Sequence, residues 1–555
     1  MSVRNAIVLL FALSAIAFLA ACGGGGHSVT KAVPPPTGGF SNANLNGTYV
    51  FSVSGTDANN APYAIVGTFT ANGAGGNGKG GITGGAIDVN DLAFSGLVAN
   101  APIISSSSSY SIGVDGRGNA TLGTGSAIPW GNNIVFDFVL QDSSHGLITQ
   151  FDGNATGSGS FDLQAAGATP TGSYAFSFSG ADATNGNPFA TVGNFTFTSG
   201  SAISGLEDFN DGGFAYTDQP LTGTVVLGPS STPATSLITT QYASPGQTYD
   251  VFAIDASHLK FIEMDSFGTL SGDAFSQSSP AAVPTGTLAF TLAGFFPSTS
   301  SPSAYGGFMV TDGSGNITTA STEDANQGGT VSAQPVTFSA TYTAAGSGRY
   351  TLSTPPPFAG GTEYVAYPST GGLLLLEIDS TGGIMLGAAY TQTGGSTFAA
   401  SEGYGLNLTG INLNGTGGGT GPVEVDDIAE FTAASSGTTI SGVIDENFEP
   451  SGGTNYGLAL SGSYTAPDSN GRGSISATAG NNSTSTLNGG FGLTFYTVDG
   501  TTFPFIETDS GGGQIATGVI VKQNPSASGA AVAKWHSIFV ARPLIRPHDA
   551  HRQQR

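Results

Sequence analysis

FIEMDS, residues 261–266, sets Glu263 and Asp265 two positions apart in an apolar run. On a strand, residues i and i+2 point the same way, roughly 6.5–7 Å apart. That spacing overlaps the separation inverting glycosidases keep between acid and base. The pair recurs, however, as Glu377/Asp379 and Glu507/Asp509, with Gln150/Asp152 as an amide variant. Repetition at regular intervals points to a scaffold element rather than to one active site, and no catalytic residue is assigned.

Scarce bases suggest what that element pairs with. Between residues 45 and 530 the chain has six Lys or Arg: Lys79, Arg117, Lys260, Arg349, Arg472 and Lys522. Arg117, Arg349 and Arg472 occupy one equivalent place, a Gly-containing turn seven or eight residues after a Tyr. The expectation is a structural clamp in which each turn Arg grips the E-x-D carboxylates, since Arg matches a carboxylate with two parallel hydrogen bonds. The second copy lacks this Arg, and Lys260 is expected to substitute.

A second acidic motif reads DVND (88–91), DFND (208–211), DANQ (324–327) and DENF (445–448). Asp and Asn cap turns by bonding their own backbone. They also offer hard oxygen ligands, so a calcium reading attaches to Asp88, Asn90 and Asp91 and to Asp208, Asn210 and Asp211. EF-hand spacing is absent. Only His145 and His258 lie within the repeats, and Cys22 is the single cysteine. Thiol dyads and Cys/His zinc sites are thereby excluded. No cofactor is expected beyond that calcium.

The elements that carry these motifs repeat four times. GTYVFSVSG (47–55), GSYAFSFSG (172–180), GTLAFTLAG (286–294) and EGYGLNLTG (402–410) open the copies, and Gln164, Gln277, Gln392 and Gln523 close them. The fold class is therefore all-β: four tandem antiparallel units of ~115 residues, each of about eight strands. Boundaries fall at 45–164, 170–277, 284–392 and 402–523. In the second copy the strands are read at 172–180, 187–198, 201–208, 219–228, 235–243, 248–254, 258–265 and 268–277. Tyr174, Phe176 and Phe178 alternate with small residues, which predicts one buried face and one wet face. A small up-and-down barrel, resembling lipocalins in architecture, removes exposed edges; a two-sheet sandwich is the alternative.

The flanks say where the chain goes. Arg4 precedes an apolar stretch, AIVLLFALSAIAFLA (6–20), of signal-peptide length. Leu19-Ala20-Ala21-Cys22 resembles the lipobox of bacterial lipoproteins. That resemblance implies a signal peptide at 1–21, a diacylglycerol on Cys22 and, from Gly23, outer-membrane sorting. Residues 22–44 read as a lipidated, Gly- and Pro-rich tether, and 524–555 as a basic, disordered tail holding five of the chain's 13 bases. The net charge of −24 excludes nucleic acid as a partner. The expectation is a non-catalytic, lipid-anchored protein of the cell envelope, on the periplasmic or the extracellular face. Its modules bind, adhere or display toward an envelope or extracellular ligand. The alternatives are a carrier with an apolar cavity per barrel and an envelope glycan hydrolase.

Overall fold

Glycine at the end of each opening strand shows why the units close. A Cβ on Gly55, Gly180, Gly294 or Gly410 would lie 1.8, 1.6, 2.0 or 2.3 Å from a carbonyl oxygen of the unit's last strand. Only hydrogen lets first and last strands pair there. The structure, a computed structural model, describes residues 39–526 except 77, 92–95, 129, 227–233, 240–245, 297–300, 333, 381, 396, 416–421, 449–452, 481–489 and 510–512. The leader, Cys22, most of the tether and nearly all of the tail lie outside the described residues.

Each unit is a closed antiparallel barrel in which eight strand positions follow chain order. In the second the strands are Ser173–Asp182, Pro188–Ser199, Ala202–Asp211, Phe214–Val226, Ala234–Thr239, Gln247–Ala253, His258–Glu263 and Gly268–Gln277. The sequence reading places all eight; the fourth begins earlier than expected, because DFND and Phe214 make a tight hairpin. In the first and third barrels the fourth strand is broken into Gly96–Pro102 and Ser109–Ile112, and into Thr330–Val331 and Val336–Ala344. Four separate apolar cores fill the barrels.

The outer face departs from the expectation of a wet surface. Ala175 and Ser177, which point out of the second barrel, are both 0% exposed. They are covered because the barrels pack on one another. Val50, Ala64 and Val66 of the first barrel meet Phe252, Ile254 and Ile262 of the second. Ala175, Ala190 and Val192 meet Val365, Tyr367 and Leu374 of the third. Ala289, Ala304 and Phe308 meet Tyr496 and Ile506 of the fourth. Ile428, Val519 and Val521 return to Val139 and Leu147 of the first. Each barrel thus offers its opening strands to the sixth and seventh strands of the next, and the head-to-tail contact closes into a ring of four. Solvent reaches the outer side chains of later strands such as Phe214–Val226, where exposed positions dominate.

Candidate functional site

The two acidic motifs meet across every seam of the ring. Asn90 Nδ2 donates to the carbonyls of Glu263 (2.8 Å) and Gly268 (2.9 Å). Asn210 does the same to Glu377 (3.2 Å) and Gly383 (2.8 Å), and Asn326 to Glu507 (3.1 Å) and Gln514 (2.9 Å). Asn447 completes the circuit on Gln150 (2.7 Å) and Ala155 (3.0 Å) of the first barrel. A side-chain amide has two N–H donors. Here both go to the two strands flanking the E-x-D turn of the following barrel.

The closing glutamines act at the opposite ends of the same seams. Gln164 Nε2 donates to Ala253 O at 2.8 Å, and Gln277 to Pro368 O at 2.7 Å. Gln392 reaches Asn470 O and Thr497 O at 2.9 and 2.8 Å. Gln523 reaches Asp115 O and Leu140 O at 2.9 and 3.0 Å. The recurring sequence markers are therefore the attachment points between modules.

The turn arginines bind carboxylates, but not those expected. Arg349 makes two bonds to Asp208, 2.8 and 2.7 Å, where Tyr367 also donates to Asp208. Arg472 repeats this on Asp324 at 2.8 and 2.7 Å, with Tyr496 at 2.9 Å. Arg117 bonds Asp115 at 3.1 Å and Asp445 of the fourth barrel at 3.4 Å. The pairing with E-x-D is thus corrected to pairing with the D-x-N aspartate of the preceding barrel. The reason is strand phase: these arginines lie on the outer face, whereas Glu263, Glu377 and Glu507 point inward.

Lys260 fails as a substitute on the same ground. It is three residues from Glu263, an odd offset that puts it on the opposite face. Its Nζ instead meets Asp273 and, across the seam, Ser160, both at 3.1 Å. Asp273 also bonds His258 at 2.7 Å, as Asp162 bonds His145 at 2.6 Å. At this first-to-second seam the arginine is missing, and Asp88 faces Asp250. Burial, together with the Asp250 charge, pushes Asp88 up to about 8.

Within E-x-D the two acids do different work. Asp265 accepts the backbone N–H groups of Thr248 and Phe267. Asp152 accepts those of Val135 and Asn154, and Asp379 those of Thr362 and Glu363. Asp509 accepts that of Gly492. These aspartates tie off hairpins. Gln150, which replaces the Glu in the first barrel, accepts Tyr63 Oη at 2.8 Å inside the barrel. The calcium set is otherwise engaged: Trp130 donates to Asp91 at 2.8 Å, and Gly213 N–H to Asn210 Oδ1 at 3.0 Å. Asp211 sits where its hairpin enters Phe214–Val226.

Further inward acids lie outside the E-x-D motif. Glu207 and Glu323 face the interiors of the second and third barrels, and burial pushes each up to about 7. Strand phase would have found them, because each falls in step with inward apolar neighbours such as Phe209 or Ala325. The first barrel leaves little room for a guest. The free space inside the first, lined by Phe51, Phe69, Tyr110, Phe136, Phe138 and Phe161 among others, is about 10 Å³. That is about one water's worth.

No family model matches the chain, and no curated protein does. Among solved structures, transferrin-binding protein B of Neisseria meningitidis serogroup B aligns at 12% identity, covering 69% of this chain and 84% of that one, TM-score 0.20. A Trp-176-Ala mutant of the Haemophilus parasuis protein aligns at 9% identity, 69% and 84% coverage, TM-score 0.20. The ferric citrate transporter FecA aligns at 9% identity, 89% and 79% coverage, TM-score 0.11. Overlap at these scores says nothing of function.

Proposed function

We propose that this chain is a non-catalytic binding or display protein of the bacterial cell envelope, held to a membrane through lipid on Cys22. The observation that carries the non-catalytic reading is the use made of its polar motifs. Asp208, Asp324, Asn90, Asn210, Asn326, Asn447 and the turn arginines are consumed in holding barrels together. Glu263, Glu377 and Glu507 are 0–1% exposed and turn into barrel interiors, which disfavours a glycan hydrolase. The filled interior of the first barrel likewise counts against an apolar cavity in every barrel. The ring leaves apolar side chains in reach of partners, with Phe214 73% exposed and Val226 61%. The membrane part of the reading rests on Leu19-Ala20-Ala21-Cys22 alone. Mass spectrometry of the mature protein expressed in a Gram-negative host tests it: an acylated N-terminal Cys22 in the membrane fraction, and release to the soluble fraction in Cys22→Ser, are expected. A mature product with an unmodified Cys22 would overturn the anchor. Capture of an envelope partner by wild type and its loss in Phe214→Ser tests the binding role.

A further inference from the structure

The four-fold repeat supplies its own controls, and the inner end of the fourth barrel departs from the other three. Asn326 marks the equivalence: it grips the carbonyls of Glu507 and Gln514, as its counterparts grip Glu377 and Gly383, Glu263 and Gly268, and Gln150 and Ala155. Three barrels thus place glycine or alanine where the fourth places glutamine. At Gly383 and Gly268 a Cβ would lie 2.4 and 3.0 Å from the neighbouring Glu carboxyl, so the Gln514 side chain starts beside Glu507.

Two more acids face the same interior. Asp427 and Glu446 stand directly opposite one another on the second and third strands. They are in phase with Ala429, Phe431 and Ile444 of the barrel core. The positions matching Asp427 are Thr191 in the second barrel and Tyr305 in the third, and those matching Glu446 are Phe209 and Ala325. Asp427, Glu446, Glu507 and Gln514 are 0, 0, 1 and 2% exposed. Among the described residues, both oxygens of Asp427, Oε2 of Glu507 and both amide atoms of Gln514 have no hydrogen-bond partner. Glu446 accepts Asn455 Nδ2 at 3.0 Å, and Glu507 shares a hydrogen bond with Asp509. The two described bases of this barrel are committed elsewhere, Arg472 to Asp324 and Lys522 to Glu402.

We propose that Asp427, Glu446, Glu507 and Gln514 form a binding site for a hard divalent cation of the calcium class inside the fourth barrel. Buried carboxylates without counter-charge are costly, and the ligands offered here are all oxygens, the set calcium takes. A neutral amide with neither end bonded has no other evident employment in a packed interior. Among the described residues no three acidic side chains are already gathered as a metal cage. The cation draws these groups together, and water completes its shell. This site is distinct from the D-x-N residues, whose amides and carboxylates are engaged at the seams.

The test uses the full chain, stripped with chelator and titrated calorimetrically with CaCl₂, MgCl₂ and, for ionic strength, NaCl. One calcium per chain is expected, with a dissociation constant on the order of 10⁻⁴–10⁻³ M, the range of extracellular calcium modules. The thermal midpoint should rise with calcium and not with matched NaCl. The double variant Asp427→Asn/Glu507→Gln should lose at least tenfold in affinity and lose the calcium-dependent rise. Its midpoint in chelator reports separately that it folds. Gln514→Ala should weaken binding without abolishing it. Absence of heat and of any calcium-specific midpoint change up to about 10 mM overturns the site. So does an equal response in the double variant. A midpoint raised only by acid would show that protons alone neutralise the cluster.

Discussion

Arg349 and Asp208 meet edge to edge across the seam between the second and third barrels, Nε to Oδ2 at 2.8 Å and Nη2 to Oδ1 at 2.7 Å. The Asp208 side chain is fully buried and that of Arg349 nearly so. Removing one partner of such a pair strands the other charge, at a cost of about 3–5 kcal/mol. Arg349→Ala should therefore lower the denaturant midpoint of the full chain sharply, while Arg349→Met with Asp208→Leu recovers most of the loss. Equal stability of Arg349→Ala and wild type would mean the seam does not depend on the pair.

Asn447 tests whether the ring is closed in solution. Its two bonds land on Gln150 and Ala155, nearly three hundred residues earlier in the chain. Asn447→Ala should cost about 1–3 kcal/mol by leaving buried carbonyls unmet. Hydrogen exchange should quicken in the 147–157 hairpin as well as around residue 447. Quickening confined to the fourth barrel would show an open string.

The Arg-free seam predicts a pH dependence. Asp88, ordinarily near 3.8, is pushed to about 8, so the fold favours its protonated form. Its stabilising effect is complete below the unfolded value and is lost as pH climbs toward 8. Asp88→Asn should therefore match wild type near pH 4 and exceed it at pH 9. The gap is on the order of a few kcal/mol, read from denaturant midpoints. Parallel curves for the two proteins would refute the assignment.

Gly180 gives a steric prediction. A Cβ there would sit 1.6 Å from Thr269 O, a backbone atom that cannot swing aside. Gly180→Ala should force first and last strands of the second barrel apart and destabilise the chain by several kcal/mol, of order ~3 or more. Gly172→Ala, with open space around its Cβ but a φ of 80°, should cost about 1 kcal/mol. Thermal melts of the two variants compare them.

Strand order and barrel class were legible because alternation is a local property: Tyr174, Phe176 and Phe178 declare an inward face wherever they sit. The seams were not, since Ala175, Ala190 and Val192 are small residues that suit an open surface as well as a covered one. Arg349 reads from sequence as a partner of the E-x-D carboxylates, yet its carboxylate lies one module back, on Asp208, and proximity in sequence suggests the wrong one. Lys260 and Glu263 could have been separated beforehand, because an odd interval on a strand forbids a shared face. Asp427 escaped notice because VEVDDIAEF reads as an acidic patch until strand phase divides Asp426, which bonds Thr156 of the first barrel, from its inward neighbour.

Asn44 Nδ2 donates to Pro525 O at 3.0 Å, and Asn524 N–H to Gln141 O at 2.6 Å, so the first barrel's start and the fourth barrel's end lie at one place. Where the polypeptide is severed is then arbitrary to the assembly. A circular permutant joined from 525 to 44 and opened near residue 282 would leave each barrel with the same two neighbours. The two ends would then emerge between the second and third barrels.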